Sequence, residues 1–113
     1  MIFFKHKQMD SDGKIIEFEA INGDIRDGKC TLNLCSDTAE ITEIVLFNGN
    51  SDTVEGLVRA ALNYAANRNY YMGMCTAEGV EEALDKMNFR KTDEGYINDI
   101  PSILMGSCKS CAR

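Results

Sequence analysis

The spacing of apolar residues changes near residue 50, and the change separates a strand-rich first half from a mixed second half. In the first half, apolar residues alternate with polar ones or form short continuous runs, as they do in β-strands. This pattern predicts strands at residues 1–5, 14–21, 29–35 and 41–47. The pairs Asn22-Gly23 and Asp27-Gly28 are typical of hairpin turns, so we expect an antiparallel meander. The run at residues 44–47 is the most apolar and predicts a central strand covered on both faces.

The second half begins with a helical pattern. Asp52 and Glu55 have the spacing of an N-terminal capping box, so the helix is expected to start there and to end near Asn67. Its apolar residues recur at intervals of three and four: Val54, Leu57, Val58, Ala61, Leu62 and Ala65. A buried strand at residues 70–75 follows, and because the helix is a crossover, this strand is expected to lie parallel to the strand at residues 41–47.

The remaining residues predict a second helix and three closing strands. Thr76 is a candidate cap for this helix, and Asn88 is a candidate left-handed C-terminus. The closing strands are expected at residues 89–91, 94–97 and 102–105. Pro101 would begin the last strand, a position where the backbone N–H that proline lacks is least needed for strand pairing. The whole pattern predicts one α/β (α+β) domain over residues 1–113, with a mixed, mostly antiparallel sheet and two helices.

Composition and charge limit the classes of function. A chain of 113 residues with 44% hydrophobic and 27% charged residues is typical of one globular domain. Its net charge of −6 opposes binding to nucleic acid or to an anionic membrane surface. No stretch approaches the ~20 apolar residues of a membrane span. We therefore expect a cytoplasmic protein with neither nucleic acid nor membrane as a partner.

The five cysteines are an odd number in a chain without a secretory signal, so no disulfide framework is expected. Cys108 and Cys111 form a CxxC pair, whose spacing allows two thiolates to bind one metal ion or to exchange as a disulfide. Cys30 and Cys35 would lie on opposite faces of one strand, so we predict no metal site. A thiol or metal protein acting through Cys108 and Cys111 is nevertheless one functional hypothesis.

The order of these elements resembles the GNAT superfamily of acyl-CoA-dependent N-acyltransferases. The resemblance covers about residues 28–105 and depends most on EIVLF at residues 43–47, which leads through a loop into GLVRAAL at 56–62. It also depends on EALDKMNFRK at 82–91, which is similar to the family's helix ending in Tyr-x-x-x-Gly-Phe before basic residues. The resemblance implies a GNAT-like fold, acetyl-CoA or another acyl-CoA as cofactor, and a small-molecule or peptide amine as acceptor.

The resemblance also implies a set of site residues. In the family, the cofactor pyrophosphate binds backbone amides of an Arg/Gln-x-x-Gly-x-Gly/Ala loop, because a helix N-terminus carries free donors and partial positive charge. The residues implied to bind the cofactor here are Phe47, Asn50, Ser51, Val54, Glu55 and Gly56. Glu43, on the strand before the loop, is the candidate catalytic base.

Four features differ from the family pattern. Ser51 stands where the family has Arg or Gln, Val54 replaces the middle Gly, and Leu84 replaces the proton-donating Tyr. The fourth is a short region before the strand at residues 14–21. Three other tyrosines could donate the proton instead: Tyr70, Tyr71 and Tyr96. These departures favour a second hypothesis, a non-catalytic GNAT-fold protein used for binding or assembly. An open parallel pair of strands at residues 41–47 and 70–75 would also expose edges that a homodimer could cover.

Overall fold

Seven strands form one mixed sheet in the computed structural model, which describes residues 2–48 and 50–106. In chain order the elements are β1 (Ile2–Gln8), β2 (Ile15–Asn22), β3 (Ile25–Cys35), β4 (Thr38–Leu46), α1 (Ser51–Ala66), β5 (Met72–Cys75), α2 (Glu81–Lys86), β6 (Arg90–Thr92), β7 (Gly95–Asp99) and α3 (Ile100–Gly106). The sheet order is β1-β2-β3-β4-β5-β7-β6, and only β4 and β5 are parallel. The mixed, mostly antiparallel sheet and the parallel crossover are confirmed.

The core lies between one face of the sheet and the helices. Alternate residues of β2, β3 and β4 are buried against the apolar stripe of α1. Two of them, Leu32 and Ile41, pair with each other across β3 and β4. Helix α3 lies on the same face of the sheet as α1. Ile103 of α3 and Leu62 of α1 both approach the same side of Gly73 in β5. Helix α2 packs beside α1. All three helices therefore cover one side of the sheet, which we call the helix face.

The opposite side of the sheet, which we call the open face, has no helix of the described chain upon it. The expectation that the strand at residues 41–47 is covered on both faces is therefore wrong. In β4 only Ala39 and Ile41 are buried, and residues 42–46 are half-buried or exposed. An antiparallel meander tolerates this arrangement because one of its faces can meet water.

Helix α1 starts two residues earlier than the expected capping box. Its N-cap is Asn50, whose side chain accepts hydrogen bonds from the amides of Asp52 (3.0 Å) and Thr53 (3.3 Å). The Thr53 hydroxyl accepts in return from the Asn50 amide at 3.2 Å. The predicted box of Asp52 and Glu55 is wrong, since Asn caps a helix as well as Asp does and a reciprocal pair is already formed at Asn50 and Thr53.

Helix α2 also starts later than expected. Thr76 does not cap it, because the Thr76 hydroxyl donates to the Glu40 carboxylate of β4 at 2.9 Å. The helix begins at Glu81, after Val80, which makes no side-chain capping bond. Its predicted left-handed terminus is confirmed, since Asn88 has φ +69°.

A third helix replaces the last expected strand. Residues 102–105 belong to α3, so the chain has three helices rather than two. The Asp99 carboxylate accepts from both the amide and the hydroxyl of Ser102, each at 2.9 Å, as a helix N-cap does. Pro101 lies in the first turn, where no intrahelical donor is required. Ile100 and Ile103 are fully buried, which anchors the helix to the sheet.

Two β-bulges interrupt the regular pairing. On β4, Ile41 pairs with Leu32 and Glu43 pairs with Thr31, so Thr42 is the extra residue. On β3, Asp27 is the extra residue between two regular pairs with β2. A bulge bends its strand and redirects the neighbouring side chains. The beginning of β3 and the end of β4 lie side by side next to the start of α1. Within the described residues, no helix is both long and apolar enough to cross a bilayer.

Candidate functional site

The parallel strands β4 and β5 separate where their pairing ends. Their last pair is Ile41 with Cys75, and the Thr76 amide donates to the Ile41 carbonyl at 3.0 Å. Strand β4 then continues to Leu46, and no strand of the described chain pairs with this part of its β5-facing edge. The bulge at Thr42 lies at the point of separation. We call this edge, residues 42–46, the β4–β5 opening.

Glu43 lies on the bulge at the beginning of this opening. It pairs with Thr31 and shares the open face with it, whereas Ile41, two residues earlier, is buried on the helix face. Strict alternation would have placed both side chains on the same face, and the extra residue Thr42 separates them. The Glu43 side chain is exposed. An exposed carboxylate beside the opening can accept a proton directly or through water.

Three residues of the predicted cofactor set border the start of α1. Asn50 is the N-cap, and Ser51 is the exposed first residue of the helix. Phe47 follows β4, and its amide donates to the Asp27 carbonyl at 2.8 Å. The Phe47 ring is exposed and lies 4.7 Å from the Arg26 guanidinium, close enough for a cation–π contact. The structure thus brings these three residues to the same end of the molecule.

The other three residues of that set are less accessible. The Val54 side chain is buried in the core, and its amide donates to the Asn50 carbonyl at 3.2 Å. Glu55 forms an ion pair with Arg59 at 3.7 Å. A side chain at Gly56 would overlap the ring of Phe4 from β1. The glycine therefore allows β1 to approach α1 closely, and its exposed surface is covered on that side by Phe4.

The electrostatics at the start of α1 differ from those of an open anion site. The side chain and carbonyl of Asn50 accept from the amides of Asp52, Thr53 and Val54, so those donors already have acceptors. Asp52 adds a negative charge to the first turn. An anion at this position would compete with the Asn50 side chain and would be repelled by the carboxylate.

The residues considered as proton donors are separated by the fold. Leu84 is fully buried in α2. Tyr70 and Tyr71 precede β5, at the end remote from the opening. Tyr96 of β7 pairs with Cys75, beside the point where β4 and β5 separate. Burial raises the pKa of Tyr96, and the carboxylates of Asp85 and Glu81 raise it further, so its hydroxyl keeps its proton at neutral pH.

Two of the three cysteines in the described residues, Cys30 and Cys75, are buried thiols and therefore poor nucleophiles. Burial raises the pKa of Cys75 to about 11, and it raises that of Cys30 still further. Cys35 is exposed, so Cys30 and Cys35 do not share an environment. Cys108 and Cys111 lie outside the described residues. In residues 2–48 and 50–106, no three His, Cys, Asp or Glu side chains are grouped closely enough to hold a metal ion.

Asp27 is a candidate functional residue that the sequence pattern assigned to a hairpin turn. It is only 7% exposed and lines a cavity of about 460 Å³ on the β3 side of the α1 start. The Asp27-Gly28 pair looks like an ordinary turn, and nothing in the alternation of this segment indicates a buried acid.

Comparison with known proteins identifies the fold. No protein-family model matches the sequence, and no curated protein sequence matches it significantly. Among solved structures, an N-acetyltransferase from Staphylococcus aureus superposes with a TM-score of 0.61 at 16% identity, over 78% of this chain and 69% of that one. An acetyltransferase from Bacillus subtilis in complex with CoA gives 0.62 at 14% identity, over 80% and 77%.

The PaiA N-acetyltransferase from Thermoplasma acidophilum, in complex with coenzyme A, gives a TM-score of 0.57 at 14% identity, over 77% of this chain and 60% of that one. At these identities the likeness concerns the fold, and the strand order, the parallel β4–β5 pair and the helical crossover agree with it. This chain therefore has the GNAT-like fold of the N-acetyltransferases.

Proposed function

We propose that this chain binds acyl-CoA at the β4–β5 opening and transfers its acyl group to a small-molecule or peptide amine. The observation that carries the proposal is the edge of β4 at residues 42–46, which extends past its last pair with β5 beside the start of α1. Two of the acetyltransferases of similar fold, those from Thermoplasma acidophilum and Bacillus subtilis, are in complex with CoA. In the proposed site, acyl-CoA would supply an acyl group activated as a thioester.

The residues at the opening suit the pantetheine arm of acyl-CoA better than its diphosphate. The pantetheine arm of CoA contains two amides, and an extended chain of amides can pair with the edge of a strand. The β4 edge suits this arm. The diphosphate fits less well, because the Asn50 side chain already accepts from two amides of α1 and Asp52 repels an anion. The proposal therefore requires the Asn50 cap to give way, which costs about 1 kcal/mol.

Glu43 and Tyr96 are the residues proposed to move protons. Glu43 is exposed at the beginning of the opening and would accept a proton from the amine. Tyr96 lies beside the last β4–β5 pair and carries its proton at neutral pH, so its hydroxyl is the proposed donor to a leaving thiolate. Neither role needs a residue outside the described chain.

The capped start of α1 favours a second candidate, a non-catalytic binding or assembly protein of the same fold. Asn50 occupies the amides, and Phe4 covers Gly56. Both features stabilise the folded protein without a ligand, and both leave less room for a cofactor. Binding measurements separate the two candidates.

Isothermal titration with acetyl-CoA tests the cofactor site. We expect saturable binding by the natural chain and weaker binding by Ser51→Glu, by roughly five-fold or more, because a new carboxylate would face the diphosphate. Asn50→Gly should bind more tightly, since it frees two amides and costs only a few tenths of a kcal/mol in helix stability. Ser11→Glu adds the same charge in the turn before β2 and should leave binding unchanged.

No heat with millimolar acetyl-CoA for either the natural chain or Asn50→Gly would remove the acyltransferase and leave the non-catalytic candidate. If acetyl-CoA binds, a panel of amines followed by mass spectrometry reports transfer. Glu43→Gln should then lower kcat by about 10²-fold or more with little change in cofactor affinity. Glu82→Gln, an exposed position on α2, is the control. Equal kcat values for both variants would contradict the role of Glu43.

A further inference from the structure

Strand β1 leaves one of its two edges free. It is the first strand of the sheet order, and it pairs with β2 through all seven of its residues without a bulge. No strand of the described chain pairs with its outer edge, and all seven residues are exposed. The backbone amides and carbonyls of this edge therefore form a regular row with which another extended strand could pair.

Apolar and basic residues occupy different halves of β1. The first half is Ile2-Phe3-Phe4, and its side chains are among the exposed large apolar groups of the described chain. The second half is Lys5-His6-Lys7. Adjacent exposed apolar side chains beside a free strand edge are typical of an interaction surface. The basic half limits which strand can pair with this edge and in which direction.

Like charges exclude most ways in which a second copy of β1 could pair with the first. A parallel pair in register would set Lys5 beside Lys5 and Lys7 beside Lys7. An antiparallel pair centred on Lys5 would again set two lysines opposite each other, and one centred on His6 would set Lys5 opposite Lys7. Like charges directly opposite each other destabilise a pair of strands.

An antiparallel pair centred on Phe4 avoids this repulsion and matches the two halves. Phe4 lies opposite Phe4 of the second copy, on the helix face, because its ring packs over the position of Gly56 in α1. Phe3 and Lys5 lie on the open face by alternation, and each is opposite the other residue of the second copy. The lysine can cover the exposed ring with its methylene groups and its ammonium.

The same register brings a basic residue of one copy to an acidic part of the other. Ile2 lies opposite His6 of the second copy. Ile2 and Asp52 line the same cavity of about 460 Å³ at the start of α1, and Asp52 belongs to the first turn of that helix. An imidazole N–H arriving at Ile2 can therefore donate to the Asp52 carboxylate. The surface is complementary to a second copy of itself in both shape and charge.

We propose that β1 is the seam of a twofold homodimer, in which two copies pair their first strands antiparallel about Phe4. The two sheets become one continuous sheet, and the helices of both copies cover the same side of it. Residues 2–6 of each copy form the seam, which is smaller than the about 1,200 Å² of a standard interface. The dissociation constant is therefore expected to be on the order of 10–100 µM. The proposal is independent of acyl transfer.

Sedimentation equilibrium from about 1 to about 500 µM protein, with a reducing agent present, tests the association. The natural chain should change from monomer to dimer over this range. Phe4→Glu should weaken the association about ten-fold or more, because two carboxylates would lie opposite each other. Met9→Glu adds the same charge at an exposed apolar residue just after β1 and should leave the dissociation constant unchanged.

Disulfide formation locates the register. In a background with Cys35→Ser, Cys108→Ser and Cys111→Ser, the variant Phe4→Cys should oxidise to a covalent dimer, because residues on the twofold axis face each other. Lys5→Cys in the same background should cross-link at least about five-fold more slowly, since its Cα would lie more than about 7 Å from its equivalent.

Three results would overturn the proposal. The first is a natural chain that remains monomeric at about 500 µM, a measurement that depends on no variant. The second is association that Phe4→Glu leaves unchanged or that Met9→Glu weakens equally. The third is cross-linking through Lys5→Cys as fast as through Phe4→Cys, which would contradict a seam centred on Phe4.

Discussion

Phe4 determines how much of the first turn of α1 is accessible. It comes from the edge strand β1, and its ring occupies the space that a side chain at Gly56 would need. The ring itself is partly exposed, so it can move at modest cost. Gly56 is therefore explained by packing between β1 and α1 without reference to any ligand.

A double-mutant cycle between these two residues tests this packing. Ala is favoured over Gly within a helix by about 1 kcal/mol. In a Phe4→Ala background, Gly56→Ala should raise the free energy of unfolding by about that amount. In the natural chain the rise should be smaller, because the new methyl group displaces the ring. Urea denaturation gives the four values.

Asn63→Ala, at an exposed position further along α1, provides the matched control for this cycle. Its effect on the free energy of unfolding should be the same with Phe4 and with Ala at position 4, because the free-energy changes of distant substitutions are additive. An equal effect of Gly56→Ala in both backgrounds would mean that Phe4 does not restrict position 56.

Among the elements, α3 shows why short segments are hard to assign from alternation. Four residues with mixed apolar character fit either a strand or one helical turn. The decisive signal was local: Asp99 accepts from Ser102, and Pro101 is allowed in a first turn. The long helix α1 was predicted correctly except at its start, because its apolar stripe persists over four turns.

The Asp99 cap makes the stability of α3 depend on pH. Hydrogen bonds from the Ser102 amide and hydroxyl hold the pKa of the Asp99 carboxyl below its usual range. A lowered native pKa stabilises the fold above the unfolded value of about 3.9, and this stabilisation is lost as the pH falls through the native pKa. Asn caps a helix without titrating. Asp99→Asn should therefore lose less stability than the natural chain between about pH 5 and pH 2.

Thermal unfolding over that pH range measures the difference. Asp93→Asn, in the exposed turn before β7, is the control and should follow the pH profile of the natural chain. If Asp99→Asn follows it as well, the carboxylate makes no pH-dependent contribution through α3.

At the scale of the whole molecule, the sheet is protected unevenly. Strand β3 lies between β2 and β4 beneath α1, and its alternate residues are buried. Strand β1 is the first strand of the order, and all seven of its residues are exposed. Local opening should therefore be easier at β1 than at β3.

Native-state hydrogen exchange measures this gradient. In dilute protein, amides of β1 should exchange faster than those of β3. Repeating the experiment at high protein concentration tests for a homodimer through β1, because a second copy on the β1 edge would slow exchange there and leave β3 unchanged. Protection of β1 equal to that of β3 at every concentration would contradict the gradient.

The sequence predicted the topology better than the sites. The periods of two and of three to four residues gave the meander, the crossover and the parallel pair, because burial imposes those periods directly. The bulges at Thr42 and Asp27 escaped prediction, since each inserts one residue without changing the local pattern. The extra residue Thr42 decides which face of the sheet carries Glu43. The alternation of apolar residues could therefore locate the strands but could not predict the face on which Glu43 lies.

The one-sided placement of the helices has a practical consequence for experiments. Cys35 ends β3 on the side of the sheet away from the core, and it is the exposed thiol among Cys30, Cys35 and Cys75. After Cys108→Ser and Cys111→Ser, a fluorophore attached at Cys35 would sit on a surface where it displaces no packed side chain. Such a labelled protein could report ligand association by fluorescence, and the packing of its core would be unchanged.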